Sequence, residues 1–230
     1  MKKLLGFSIF LVFVLIASLT AEAKVTLPAI FSDNMVLQQN TQVNVWGKAA
    51  PGEKVTVKAS WLDKPVTAKA AANGKWTVKL KTPKATTNQS VTVSGENEIT
   101  INNVLIGEVW LCTGQSNMEF PVSRHPDVKW NTGMLNEAEE LKDADYPEIR
   151  LFHVKHQLAH EGELDDCEGE WLVCNPKNLY DFSAVGFVFG RKLYKELKMP
   201  VGLIQSTWGG THAELSLIHI SEPTRRTPIS

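Results

Sequence analysis

The sequence predicts a mixed α/β protein in two parts. A small antiparallel β-sandwich covers residues 24–104, and the first strands and helices of a doubly wound α/β domain follow from residue 105. Three observations carry this reading. Short runs alternating polar and apolar residues recur before residue 104, the period of half-buried strands. The nearly continuous apolar run Val104–Cys112 then breaks that texture, as a strand buried on both faces does. A helical pattern over 183–197 separates it from a second such run, Val201–Ser206, and strand–helix–strand alternation is how a parallel sheet is wound.

The chain opens on a basic pair, Lys2 and Lys3, an apolar stretch from Leu4 to Leu19, and small residues at Ala21 and Ala23. This order predicts a signal peptide over 1–23, cleavage before Lys24, and export to the periplasm or the medium; the rival reading, a membrane anchor, is disfavoured because the apolar run falls short of the roughly 20 residues that span a bilayer. No long apolar stretch follows residue 23, so no membrane partner is expected after cleavage.

Strands are expected at 42–46, 54–59, 75–80, 90–94 and 98–101. The turn residues Ala50-Pro51-Gly52, Asn73-Gly74 and Gly95-Glu96-Asn97 separate them. Asn73-Gly74 reads as a hairpin, because both residues tolerate positive φ. The spacing suits a sandwich and leaves a barrel open. Trp46, Trp61 and Trp76 read as core or surface of this part rather than as a sugar platform. In the second part, helices are expected at 134–142 and 183–197, the latter stopped by Pro200, and strands at 149–154 and 201–206. Asp165-Asp166 and Glu168–Glu170 read as an exposed acidic loop.

Composition narrows the function. With 24 Lys and Arg against 25 Asp and Glu, the formal net charge is −1, so no basic excess exists to bind nucleic acid. Cys167 and Cys174 are close enough in sequence to bridge a short loop in an exported protein, whereas Cys112 reads as a small buried thiol. No metal-ligand spacing occurs, and no metal or cofactor is expected.

The chemistry sits where buried strands end. Thr113-Gly114-Gln115-Ser116-Asn117-Met118 follows the first buried run, and ligands bind at the carboxyl ends of strands in open α/β sheets. A serine on a tight turn there can aim its hydroxyl and its backbone N–H into a crevice. Taken alone, such a serine is more often a turn residue than a nucleophile. Thr207-Trp208-Gly209-Gly210-Thr211 ends the second run, and paired glycines expose backbone donors suited to an oxyanion.

Four segments together, Phe31–Gln39, Trp110–Glu119, Phe182–Phe187 and Thr207–Thr211, resemble the sialate O-acetylesterase family of the SGNH (GDSL-like) hydrolases. The resemblance covers about residues 25–214. It implies a truncated SGNH-type, flavodoxin-like three-layer α/β/α domain at 105–214, and a serine esterase that removes O-acetyl groups from carbohydrates without a metal. Ser116 matches the nucleophile. Ser116, Gly209 and Gly210 match the oxyanion-hole donors. Gln115, Asn117 and Arg124 are expected to line the substrate site, with His125 and Trp130 on the same connection. Glu119 could orient the loop or line the sugar site, but it reads first as a solvated carboxylate.

Two segments expected of the family are not found: a Gln-Gly-Glu-Ser-Asn-like block and an Asp-x-x-His segment carrying the base. None of the six histidines has that context, and His212 sits at a variable position of its motif. Residues 215–230 read as a non-native tail resembling a translated sequencing adapter. The chain is therefore expected to be an inactive fragment of its parent enzyme. An acetylxylan esterase of the same superfamily and a non-catalytic carbohydrate-binding protein are the alternatives.

Overall fold

A computed structural model describes residues 24–124, 133–158 and 164–211. The expected leader at 1–23, the tail at 215–230, and His125, Trp130, His160, His212 and His219 lie outside them. In chain order the elements are β1 (Val36–Gln38), β2 (Gln42–Lys48), β3 (Lys54–Ala59), β4 (Val66–Lys69), β5 (Lys75–Lys81), β6 (Thr86–Ser94), β7 (Glu98–Gly114), α1 (Ser116–Glu119), α2 (Glu137–Lys142), β8 (Tyr146–His153), β9 (Trp171–Cys174), α3 (Pro176–Leu179), α4 (Ala184–Leu197) and β10 (Val201–Thr207).

Alternation decides which side chains turn inward. In β5, Trp76, Val78 and Leu80 are buried while Lys75, Lys79 and Lys81 face water. Val45 of β2, Val55 and Val57 of β3, and Val91 and Val93 of β6 join them in one apolar cluster. Each such side chain contributes about 2 kcal/mol by leaving water. The strands form two sheets. β2 pairs only with β5, antiparallel, and the other eight form one sheet of order β4-β3-β6-β7-β10-β8-β9, with β1 beside β7. Asn73-Gly74 therefore does not close a hairpin. Gly74 has φ +77° as expected, but β4 pairs with β3 and β5 with β2, so the turn carries the chain from one sheet to the other. Gly95–Asn97 does close one, with Ser94 opposite Glu98.

The strand expected at 98–101 and the apolar run from 104 are one strand, β7, so the boundary set at 104/105 falls inside it. What changes there is the neighbour. β7 pairs antiparallel with β6 up to Ile106, parallel with β1 at 105–107, and parallel with β10 from Glu108 to Gly114. Val104–Gly107 are buried as that texture requires, but Trp110 and Leu111 are 42% and 46% exposed. Past Ile106 the β6 side of β7 has no strand among the described residues.

β10 lies between β7 and β8, parallel to both, and β9 closes the order antiparallel to β8. Side chains of this part divide between two clusters. Ile149 and Leu151 of β8, Leu203 of β10 and Cys112 of β7 point into a second cluster with Phe182 and Phe187, while Phe152 joins the first. Met118, Leu141, Leu179 and Phe187 bring all four helices to that second cluster. Among the described residues, the helices thus gather at the second cluster, while Phe152, Trp171 and Ile204 pack with the first. The 134–142 helix begins at Glu137, and the 149–154 strand begins three residues early at Tyr146. α4 matches its expectation: Ser183 caps it by accepting from Gly186 N–H at 3.0 Å, and Lys198 ends it in the left-handed conformation.

Where β1, β7 and β10 meet, Gly107 has no room for a side chain. A Cβ there would meet the carbonyl oxygen of Pro200, a backbone atom that cannot swing aside. Gly107→Ala is expected to destabilise the fold by about 2 kcal/mol, read from its urea midpoint.

The three cysteines are free. Cys167 packs against the first cluster and Cys174 lies inside the second, so the possible bridge is not made. Burial pushes the Cys112 thiol up to about 11 and the Cys174 thiol up to about 12. Their thiolates are therefore scarce at pH 8. Iodoacetamide at that pH should modify Cys167 first, and peptide mass mapping should find Cys112 and Cys174 protected until unfolding. The acidic loop is exposed as expected and is also tied down: Asp165 takes Lys48 at 2.9 Å and Lys75 at 2.5 Å, and Asp166 accepts from Ala29 N–H at 3.0 Å. It closes a groove beside Trp46, which stands edge-on to Phe31 with ring centres 4.6 Å apart. Trp76 is buried and Trp46 is 42% exposed, consistent with core and surface roles.

Candidate active site

Parallel pairing of β7 with β10 ends with Gly114 opposite Thr207, so the segments leaving both strands emerge side by side. The N–H of Trp208 donates to the carbonyl of Gly114 at 3.0 Å and ties the two exits together. Gly114 has φ +149°, and a Cβ there would come within 2.8 Å of Met118 Cγ, so the turn needs glycine. The chain then enters the single turn α1, whose first residue is Ser116. The Ser116 hydroxyl lies 3.4 Å from where a Gly209 Cβ would stand. The structure thus brings the expected nucleophile and one expected oxyanion glycine into contact.

The loop after β10 rests on a buried polar chain. Gln205, fully buried, accepts from Ser183 N–H at 2.7 Å and donates to Thr207 Oγ1 at 3.0 Å. Ala184 N–H donates to the Phe120 carbonyl at 2.9 Å, joining the start of α4 to the end of α1. The 182–187 motif therefore works as a support under the site rather than as part of its lining.

Glu119 departs from its expectation. Its side chain is 18% exposed, and one carboxylate oxygen accepts from Gly209 N–H. The other lies 3.0 Å from His156 Nε2. That nitrogen is also 2.7 Å from the Thr207 carbonyl, and two acceptors on one ring nitrogen require it to carry a proton. The imidazole stacks on Trp208 with centres 4.4 Å apart and planes 5° from parallel. His153 stands behind it. Burial lowers its pKa below the usual histidine value, with His156 adding to the effect and Asp181 and Glu119 opposing it.

Of the two expected glycine donors, Gly209 gives its N–H to Glu119. Gly210, with φ +79°, faces open space. Gln115 and Asn117 are exposed beside Ser116. Arg124 is held through its backbone, its N–H donating to Glu137 at 2.8 Å and its carbonyl accepting from Tyr180 at 2.8 Å. Sequence reasoning missed His156. It lies thirty-seven positions after Glu119 in the chain, and the β8–β10 pairing brings it to the loop. Among the described residues, no three His, Cys, Asp or Glu side chains converge as metal ligands.

The comparisons with known proteins concern the chain and its fold. No family model matches the chain. Its fold is similar to that of a carbohydrate acetylesterase from Xanthomonas citri, with a TM-score of 0.73 and 32% identity over 82% of this chain and 41% of that one. By fold and sequence the chain is a relative of carbohydrate acetylesterases. More particularly, it is a relative of the sialate O-acetylesterases. The mouse (Mus musculus) enzyme is 34% identical over 207 residues, 81% of this chain and 36% of its own length. The human (Homo sapiens) enzyme is 33% identical over 202 residues, 80% and 37%. The chain thus spans little more than a third of the curated relatives it matches.

Proposed function

We propose that the protein is an exported serine esterase that removes O-acetyl groups from carbohydrates, with acetylated sialic acid as the first substrate to test. The observation that carries this is the juxtaposition of Ser116 and Gly209 at the exits of two adjacent parallel strands. In this reading the Ser116 hydroxyl attacks the acetyl carbonyl. The bond from Ser116 Oγ to the acyl carbon forms, the sugar leaves as an alcohol, and water hydrolyses the acetyl-enzyme. The backbone N–H groups of Ser116 and Gly210 are the donors left for the developing oxyanion, since Gly209 N–H is held by Glu119, and Gln115, Asn117 and Arg124 line the sugar side. The general base comes from outside the described residues, on an SGNH-type domain that shares β7 with a small β-sandwich.

The test is covalent trapping of the full-length gene product with a fluorophosphonate, followed by peptide mapping. Label on Ser116 is expected; label at another residue, or none, overturns the reading. Acetate release from acetylated sialic acid against acetylated xylan then separates the two sugar classes.

A further inference from the structure

From the bond network around Gly209 we infer that Glu119 is a positioning residue of the site, a clamp that sets the Gly209-Gly210 loop against Ser116. The inference rests on reading Ser116 and that loop as an acyl-transfer site. It goes beyond that reading by giving work to two side chains that make no bond to the reacting groups in the proposed step.

Three observations converge on this carboxylate. It is carried on α1, three residues after Ser116, so it moves with the nucleophile's turn. Its two oxygens reach two other elements: Gly209 N–H on the loop after β10, and His156 Nε2 on the segment after β8. His156 is itself fixed, by the Thr207 carbonyl at 2.7 Å and by its stack on Trp208. The carboxylate therefore joins the exits of β7, β8 and β10, three strands that are adjacent in the sheet but far apart in the chain. It is mostly buried, and a hydrogen bond to an ionised acceptor is stronger than a neutral one. The glycine follows from the same geometry. A Cβ at position 209 would collide with the Glu119 carboxylate and come within 3.4 Å of Ser116 Oγ.

The clamp also sorts the donors. With Gly209 N–H committed to Glu119, the loop is held by one amide, which leaves Gly210 facing open space beside it. A glutamine in place of Glu119 breaks the arrangement in a defined way. Its amide oxygen can still accept from Gly209, but its NH2 then faces the His156 N–H, donor against donor.

The experiment has two readouts. In the chain labelled with ¹⁵N, E119Q should shift the Gly209 amide resonance upfield, because a charged acceptor has become a neutral one, and should also shift the His156 Nε2–H resonance. In the full-length gene product with p-nitrophenyl acetate, E119Q should lower kcat by roughly tenfold to a hundredfold and leave KM within about threefold, the signature of a misplaced donor rather than a lost binding contact. An unchanged Gly209 resonance overturns the clamp. An unchanged kcat beside a shifted resonance overturns its role in the reaction. If S116A hydrolyses the ester as fast as wild type, the acyl-transfer reading has failed instead, and the inference falls with it for a separate reason.

Discussion

Ser116→Ala in the full-length gene product is expected to lower ester hydrolysis by about six orders of magnitude, the scale of loss when a serine nucleophile is removed. The folded state should barely notice. Ser116 sits at the start of a one-turn helix with no buried residues, and its hydroxyl adjoins the open Gly209-Gly210 loop. A surface hydroxyl removed from such a place changes stability by no more than about 0.5 kcal/mol. The measurement is therefore paired: initial rates with p-nitrophenyl acetate, and thermal midpoints of both proteins. Retained hydrolysis would remove Ser116 from the mechanism. Lost hydrolysis with a collapsed midpoint would make the serine structural. Only lost hydrolysis with an unchanged midpoint supports an attacking hydroxyl.

Phe187→Ala is expected to have the largest effect on stability, about 4 kcal/mol, the usual loss when a fully buried aromatic ring is cut back to a methyl group. Phe187 is fully buried under α4 in the second cluster. Its ring lies 6.2 Å from that of Tyr146 on β8, and the Arg191 guanidinium stands 4.9 Å from its centre. Arg191 in turn pairs with Glu140 of α2, whose carboxyl that guanidinium holds below the usual carboxylate range. Removing the ring thus opens a cavity between helix and sheet and takes away the surface on which an ion pair is seated. The damage should be unequal across the molecule. Phe187 belongs to the second cluster only, so hydrogen exchange should rise in β8, β10 and α4 before it rises in β2, β3 and β5.

Much of this architecture was legible because period and punctuation are local. The alternation in Lys75–Leu80 and Lys54–Ala59 set strands with the correct faces inward, and Ser183 with Pro200 framed α4 to within a residue. What failed was non-local. Asn73-Gly74 makes its turn as expected, but no property of two residues says whether the flanking strands pair with each other or with strands in different sheets. The short strands β1 and β9 carry too few residues to show a period, and they form because β7 and β8 offer edges to them. The same division holds at the site. Ser116 and the Gly209-Gly210 loop each end a run that reads as a buried strand, an order that allows them to meet and that the family resemblance made specific. Glu119 read first as solvated because its partners, Gly209 and His156, arrive from elsewhere in the chain.

β7 has a consequence for how such a protein can be taken apart. Its seventeen residues belong to both halves, antiparallel in the first and parallel in the second. A module meant for shuffling would end in a linker that recombination can cut without harm. Here every cut between the halves passes through a hydrogen-bonded ladder and strands one of them without its central support. The β part is better regarded as the root of the larger sheet than as an appendage, and the two are expected to have travelled through evolution as one piece.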